Sequence, residues 1–208
     1  MKNEQNLLDL YVSKNTNREE YTKPIQKENH VIATCESTLI RIHRSLISGE
    51  YTFSEKPKTD HLFSGFDNAE IIEFSKDELN KLIEELPLID EYFVHGKDIL
   101  CEECNGDGEV TWEYKYHEKE FECPECYGSG YEQRQKYVET GKQIPDYEKG
   151  VLLGNKLIKG RYVKRLINTM DLVGINTISM KYNKNDVYKQ ALFVVSENID
   201  VIIMPMIV

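Results

Sequence analysis

The sequence predicts an α+β protein, an antiparallel sheet with packed helices, into which a separate β-hairpin is inserted. Three observations carry this expectation. Roughly the last sixty residues read as strand, helix and then three strands separated by Asn-rich turns. A capped amphipathic helix follows Ser75, and a tandem cysteine pattern brackets the alternating, β-rich run Val110-Thr-Trp-Glu-Tyr-Lys-Tyr.

In chain order, Asn6-Leu-Leu-Asp-Leu-Tyr-Val predicts a short amphipathic helix, followed by polar residues to about position 20. Residues 21–47 alternate enough for two strands and end in the apolar stretch 31–42, while 48–68 is turn-rich and reads as a loop. The helix after Ser75 is the clearest element. Ser75 suits an N-cap, Asp77 and Glu78 complement the positive end of the helix dipole, Leu79, Leu82, Ile83 and Leu86 fall on one face, and Pro87 stops it. Residues 133–149 are a polar exit whose Gly141 and Pro145 predict a linker. Strands are expected at 151–154, 177–182, 190–195 and 199–208, with a helix over 160–170. The expected organisation is a discontinuous body of residues 1–97 and 146–208, a cysteine-bearing hairpin over 98–135 and a return linker over 136–145.

The cysteines carry the most specific chemistry. Cys101-Glu-Glu-Cys104-Asn-Gly106-Asp-Gly108 and Cys123-Pro-Glu-Cys126-Tyr-Gly128-Ser-Gly130 are two copies of one pattern, with the overall spacing C-x2-C-x18-C-x2-C. Each tight CxxC turn points two sulfurs the same way, and two such turns supply the four soft ligands of a tetrahedral zinc ion. The glycines let the backbone turn back and aim amide hydrogens at thiolate sulfur. The expectation is one structural Zn2+ held by Cys101, Cys104, Cys123 and Cys126, with the shell closed to substrate. His117 lies between the two copies, either as a solvated loop residue or as a replacement ligand. Cys35, within the apolar run Val31-Ile-Ala-Thr-Cys35, reads as a small buried hydrophobe or as a nucleophile.

Charge and composition set the frame. The 208 residues hold no apolar run long enough to span a membrane, and the N-terminal residues lack the apolar stretch of a signal peptide. With thiols arranged for metal, a reducing, cytoplasmic setting and no membrane association are expected. Of the net charge of −10, −7 lies between Cys101 and Cys126, where nine carboxylates face Lys115 and Lys119, and −3 lies elsewhere. The hairpin is thus a poor phosphate binder; its acidic surface is either a solvated face or a protein-docking surface. No phosphate-binding GxxxxGK[ST] loop, HExxH, GxSxG or dinucleotide glycine fingerprint occurs, and no catalytic constellation stands out, so a non-enzymatic protein is expected.

The CxxCxGxG repeats resemble the zinc-binding region of DnaJ-type chaperones, in which four such repeats make two zinc sites; this chain has two, and no His-Pro-Asp tripeptide of a J-domain. The resemblance implies a zinc module, with binding of polypeptide partners as one possible function.

A second resemblance covers roughly residues 6–45 and 150–208. The ending Asp200-Val-Ile-Ile-Met204-Pro205-Met206-Ile-Val208 resembles the last strand of the bacterial DNA polymerase sliding clamp, which ends in Met-Pro-Met-Arg-Leu. Leu157-Ile-Lys-Gly-Arg161-Tyr162-Val163-Lys-Arg-Leu166-Ile167 is similar to that family's Asn-x-x-Tyr-Leu-x-x-Ala-Leu helix, and Val31-Ile-Ala-Thr34-Cys-Glu-Ser-Thr-Leu39-Ile-Arg41 to its Ala-Thr-Asp-Gly-His-Arg-Leu turn. The three matches occur in the family's order. They imply a clamp-like body and a binding scaffold around DNA replication or repair, with protein partners and the option of a homo-oligomer. A clamp subunit has three such domains, and this chain has room for one.

Two sites are implied. Leu39, Met204, Pro205 and Met206 would line a peptide pocket, although Glu36, Ser37 and Thr38 stand where the family has Gly-His-Arg and Ile207 replaces the terminal arginine. Met204 to Met206 also fit a plain apolar core strand. Arg161, Lys164 and Arg165 share one helical face with Asn168, opposite Tyr162, Val163, Leu166, Ile167 and Met170, and would meet DNA phosphates or remain solvated. Lys14 and Arg18 are weaker phosphate contacts.

Overall fold

The computed structural model describes every residue except Met1, Lys2, Lys14, Asn15, Asn17, Glu36, Lys97, Arg134, Gln135 and Val208. Lys14, Glu36 and Val208, named above, therefore lie outside the described residues. The chain divides into two units, Met1–Pro87 with Pro145–Val208, and Leu88–Ile144. The first contains α1 (Glu4–Asp9), β1 (Ile25–Lys27), β2 (His30–Thr34), β3 (Thr38–His43), β4 (Glu70–Ser75) and α2 (Lys76–Glu84). The second contains β5 (Leu88–His95), β6 (Ile99–Leu100), β7 (Glu109–Tyr114), β8 (His117–Glu122), β9 (Tyr131–Gln133) and β10 (Lys136–Pro145), whose last residue already belongs to the first unit. The first unit then resumes with β11 (Gly150–Leu153), β12 (Lys156–Lys159), α3 (Gly160–Val173), β13 (Thr177–Tyr182), β14 (Ala191–Ser196) and β15 (Ile199–Ile203).

The first unit is built on an antiparallel sheet of order β1-β2-β3-β15-β14-β13-β4. Strand alternation gives the sheet two apolar faces. On β3, Ile40 and Ile42 enter the main core with α1, α2 and α3, whereas Leu39 enters a second cluster with Ile25, Ile32, Leu192 and Ile202. The amphipathic helices fit the first face because their apolar residues recur at helical spacing: Leu79 and Ile83 from α2, and Val163, Leu166, Ile167 and Met170 from α3, are buried there. The α2 N-terminus is a full capping box, in which Ser75 Oγ accepts from the Glu78 amide at 3.2 Å and Glu78 Oε2 accepts from the Ser75 amide at 2.8 Å.

Three expectations change. Residues 136–145, read as a linker, form β10, which pairs with β5. The interval 21–47 holds three strands rather than two. The last strand stops at Ile203, because Pro205 has no N–H to continue the ladder; the Met204 amide instead donates to the Ser37 carbonyl at 2.8 Å and the Met206 amide to the Leu157 carbonyl at 2.8 Å. Among the described residues, no helix is long and apolar enough to cross a membrane.

Candidate metal centre and neighbouring sites

The four cysteines of the second unit converge. Their sulfurs lie within 4.8 Å of one another, all four are buried, and none forms a disulfide. Two edges of the cluster, Cys101 to Cys123 and Cys104 to Cys126, measure 3.7 Å. Four sulfurs each about 2.3 Å from a zinc ion would stand about 3.8 Å apart, so the cluster has the size of a zinc tetrathiolate.

The two CxxCxGxG copies interlock around the sulfurs. The Gly108 amide donates to Cys104 Sγ at 3.3 Å and the Gly130 amide to Cys126 Sγ at 3.2 Å, so the role expected of both glycines of each repeat is taken by the second. The copies also exchange backbone bonds, Cys101 N–H to the Gly130 carbonyl at 2.9 Å and Cys123 N–H to the Gly108 carbonyl at 2.8 Å. Both glycines have positive φ, +80° and +75°, and a Cβ on Gly108 would stand 2.5 Å from the Gly128 carbonyl oxygen, one on Gly130 2.4 Å from that of Gly106. That mutual approach of two backbones is a constraint the linear motif does not display. Without a metal, four adjacent thiols cannot ionise alike. Burial opposes ionisation of Cys126, but the Gly130 amide and the neighbouring thiols hold it down at about 7. Cys101 accepts from the Cys104 amide, yet burial and its Cys123 and Cys104 neighbours push it up to about 12. A divalent cation would remove that conflict by accepting all four thiolates. His117 sits exposed in β8 and is not part of the cluster.

The cations of α3 have unequal surroundings. Arg161 is exposed and pairs with Glu148 at 2.9 Å, a carboxylate that also takes Lys159 at 2.7 Å. Lys164 forms no ion pair among the described residues. Arg165 turns toward the protein: its Nη1 donates to Cys35 Sγ at 3.0 Å and to Thr38 Oγ1, and its guanidinium lies 5.4 Å from the Tyr11 ring centroid and 5.6 Å from that of Tyr162. Arg18 rests 5.7 Å from the Tyr21 ring centroid.

Leu39 and the Met204 to Met206 segment differ in exposure. Leu39 is buried beside Ile202, its cross-strand partner, while Met204 is exposed, Pro205 buried and Met206 half-buried. A cleft of about 720 Å³ opens elsewhere on the first unit, lined by Lys27, His30, Arg41, Phe53 and His61 among others. Arg41 there pairs with Asp200 at 2.6 Å and lies 3.6 Å from the Phe63 ring centroid. No local motif announces this cleft, since its walls come from β1, β2, β3 and the 53–61 loop.

Fold and site define a class: a clamp-like α+β chain with a four-cysteine cluster in a β-region. No protein-family model and no curated protein matches the sequence. Among solved structures, the chain is similar to the DNA polymerase sliding clamp of Caulobacter crescentus, with 12% identity, a TM-score of 0.50, and coverage of 99% of this chain and 64% of that one. A second structure of the C. crescentus beta sliding clamp matches at 11% identity and a TM-score of 0.51, with coverage of 99% and 64%. The DNA polymerase III subunit beta of Pseudomonas aeruginosa matches at 10% identity and a TM-score of 0.50, over 100% of this chain and 64% of that one. The chain thus spans less than two thirds of the clamps it matches, and at such identities the likeness is one of fold.

Proposed function

We propose that this chain is a non-enzymatic scaffold in which a sliding-clamp-like unit carries a hairpin module stapled by one zinc ion, and that the module docks protein partners. The observation that carries the reading is the cysteine tetrahedron. Cys101, Cys104, Cys123 and Cys126 would complete the shell of a zinc ion, leaving no position for a substrate or an activated water, so the metal's contribution is to hold the hairpin. Exposed Trp112, Tyr114 and Phe121 on the same hairpin support a docking role.

Cobalt exchange tests the closed shell. The chain loaded with Co2+ should bind one ion and give the intense visible bands of a tetrahedral tetrathiolate, unmoved by added azide. Bands that shift with azide would mean an open ligand position, and the non-enzymatic reading would fail.

A second reading, contact with DNA through α3, is favoured by Arg161 and Lys164 on the outward face of an amphipathic helix within a clamp-like fold. Arg161→Glu with Lys164→Glu should then abolish a salt-sensitive association with duplex DNA measured by anisotropy. DNA association that survives both changes would remove α3 from the interface. Solution mass by light scattering bears on the same reading, because encircling DNA requires several domains joined head to tail.

A further inference from the structure

The register of β7 and β8 sorts the hairpin into two chemically opposite faces. Glu109 stands opposite Glu122, Thr111 opposite Glu120 and Glu113 opposite Glu118, so one face carries five carboxylates. The alternate pairs, Val110 with Phe121, Trp112 with Lys119 and Tyr114 with His117, form the other face. There Trp112 and Phe121 meet edge to face at 6.2 Å, and both are solvent-exposed along with Tyr114. Directly opposed like charges weaken a strand pair, and none of the five glutamates forms an ion pair among the described residues. The hairpin is also a two-stranded sheet by itself, so β7 and β8 each have an edge without a strand partner among the described residues.

We propose that the outer edge of β7 takes up an extended segment of a partner protein in which apolar and basic residues alternate. Resting on the docking function proposed above, this specifies the partner's chemistry. A strand added to β7 would place every second side chain beside Val110, Trp112 and Tyr114 and the intervening ones beside Glu109, Thr111 and Glu113. Apolar residues complement the first row and lysine or arginine the second, with Glu118, Glu120 and Glu122 extending the negative field on the same face. The β8 edge fits this segment less well, because Lys119 and His117 interrupt its apolar row. A nucleic acid is disfavoured by the same carboxylates.

The probe is an end-capped peptide of four Val-Lys repeats, added to the full zinc-loaded chain. Trp112 is the chain's single tryptophan, so its emission reports directly on this face. The expected result is a saturable change in emission, new hydrogen-exchange protection of β7 amides, and at least tenfold weaker binding by Glu109→Lys with Glu113→Lys and, read by hydrogen exchange because it lacks the fluorophore, by Trp112→Ala. Neither change threatens the hairpin, since the first relieves repulsion and the second truncates an exposed side chain. A peptide of four valines followed by four lysines should bind at least tenfold more weakly. Equal binding of the two peptides would reduce the effect to bulk charge and overturn the proposal, as would unchanged Trp112 emission or protection confined to β8. If the probe is ignored while the cobalt spectrum is that of a closed tetrathiolate, the zinc scaffold stands and this partner chemistry falls; the glutamates then serve only to keep the strand edges from self-association.

Discussion

Arg165 donates to the sulfur of Cys35 across 3.0 Å, joining α3 to the turn that precedes β3. A helix-face projection assigns Arg165 to the outer surface, but its long stem lets the guanidinium fold back over Tyr11 and Tyr162. The fifth cysteine thereby gains a cationic neighbour.

Cys35 should be the thiol that labels first. Burial opposes its ionisation, but the Thr38 hydroxyl and the Arg165 charge outweigh that and hold the thiol below its ordinary value. In the zinc-loaded chain, iodoacetamide at pH 7 should modify Cys35 ahead of the four metal-site cysteines, read by peptide mass mapping. Arg165→Leu removes the charge and a donor, so the pH–rate profile should move to higher pH and labelling at pH 7 slow by roughly threefold to tenfold. A profile that stays in place would show that Arg165 does not control the thiol.

The interlocked glycines should be intolerant of a methyl group. Alanine at Gly108 or Gly130 meets a carbonyl oxygen at 2.5 Å or 2.4 Å, and backbone cannot yield as a flexible side chain does. Left-handed backbone adds about 1–2 kcal/mol for a residue with a Cβ. Gly108→Ala and Gly130→Ala should each weaken zinc binding by about tenfold or more in competition with a chelator. At Gly128 a Cβ meets only the Glu122 side chain, at 3.5 Å, so Gly128→Ala should cost less. Equal losses at the three positions would remove the close approach from the explanation.

What the sequence displays is what repeats locally. The Ser75 N-cap and the apolar face of α3 each lie within a few turns of a single helix, and the paired cysteine motif marks by its spacing the four sulfurs that converge. β5 and β10 were hidden for the opposite reason. Both are exposed along most of their length, so no apolar alternation marks them, and their side-chain links, Thr140 to Glu91 at 2.8 Å and Gln143 to Asp90 at 3.3 Å, span some fifty residues. The inward turn of Arg165 and the Arg41–Phe63 stack depend likewise on tertiary neighbours.

Acid should loosen α1 through Glu4. Its carboxylate accepts from the Ser48 amide at 2.8 Å, the Ser48 hydroxyl at 3.0 Å and the Gly49 amide at 2.7 Å, which ties the helix to the 48–49 turn. Burial alone would raise its pKa, but these donors hold it below the ordinary 4.5. A group whose folded pKa is depressed contributes stability above its unfolded value, and that contribution disappears as pH falls through the folded value. Denaturant melts between pH 6 and pH 3 should therefore show a larger loss in the parent chain than in Glu4→Gln, which starts weaker and changes less. Parallel curves would mean that Glu4 does not contribute to the acid response.

Loss of the metal should unfold one unit and spare the other. Among the described residues of Leu88–Ile144, the only buried hydrophobics are Cys101, Cys104, Cys123 and Cys126, with Val110 packed against them. That unit's core is the four-cysteine cluster itself, and a structural zinc in small domains contributes on the order of 10–16 kcal/mol of apparent binding free energy. The first unit has its own large core, containing Phe193, Val163 and Met170. Cys104→Ser should consequently abolish stoichiometric zinc binding and the near-ultraviolet signal of Trp112, while the sheet of the first unit still melts cooperatively. Collapse of both units in a single transition would show that the seven-stranded sheet requires the hairpin module for its stability, and the two would have to be treated as one folding unit.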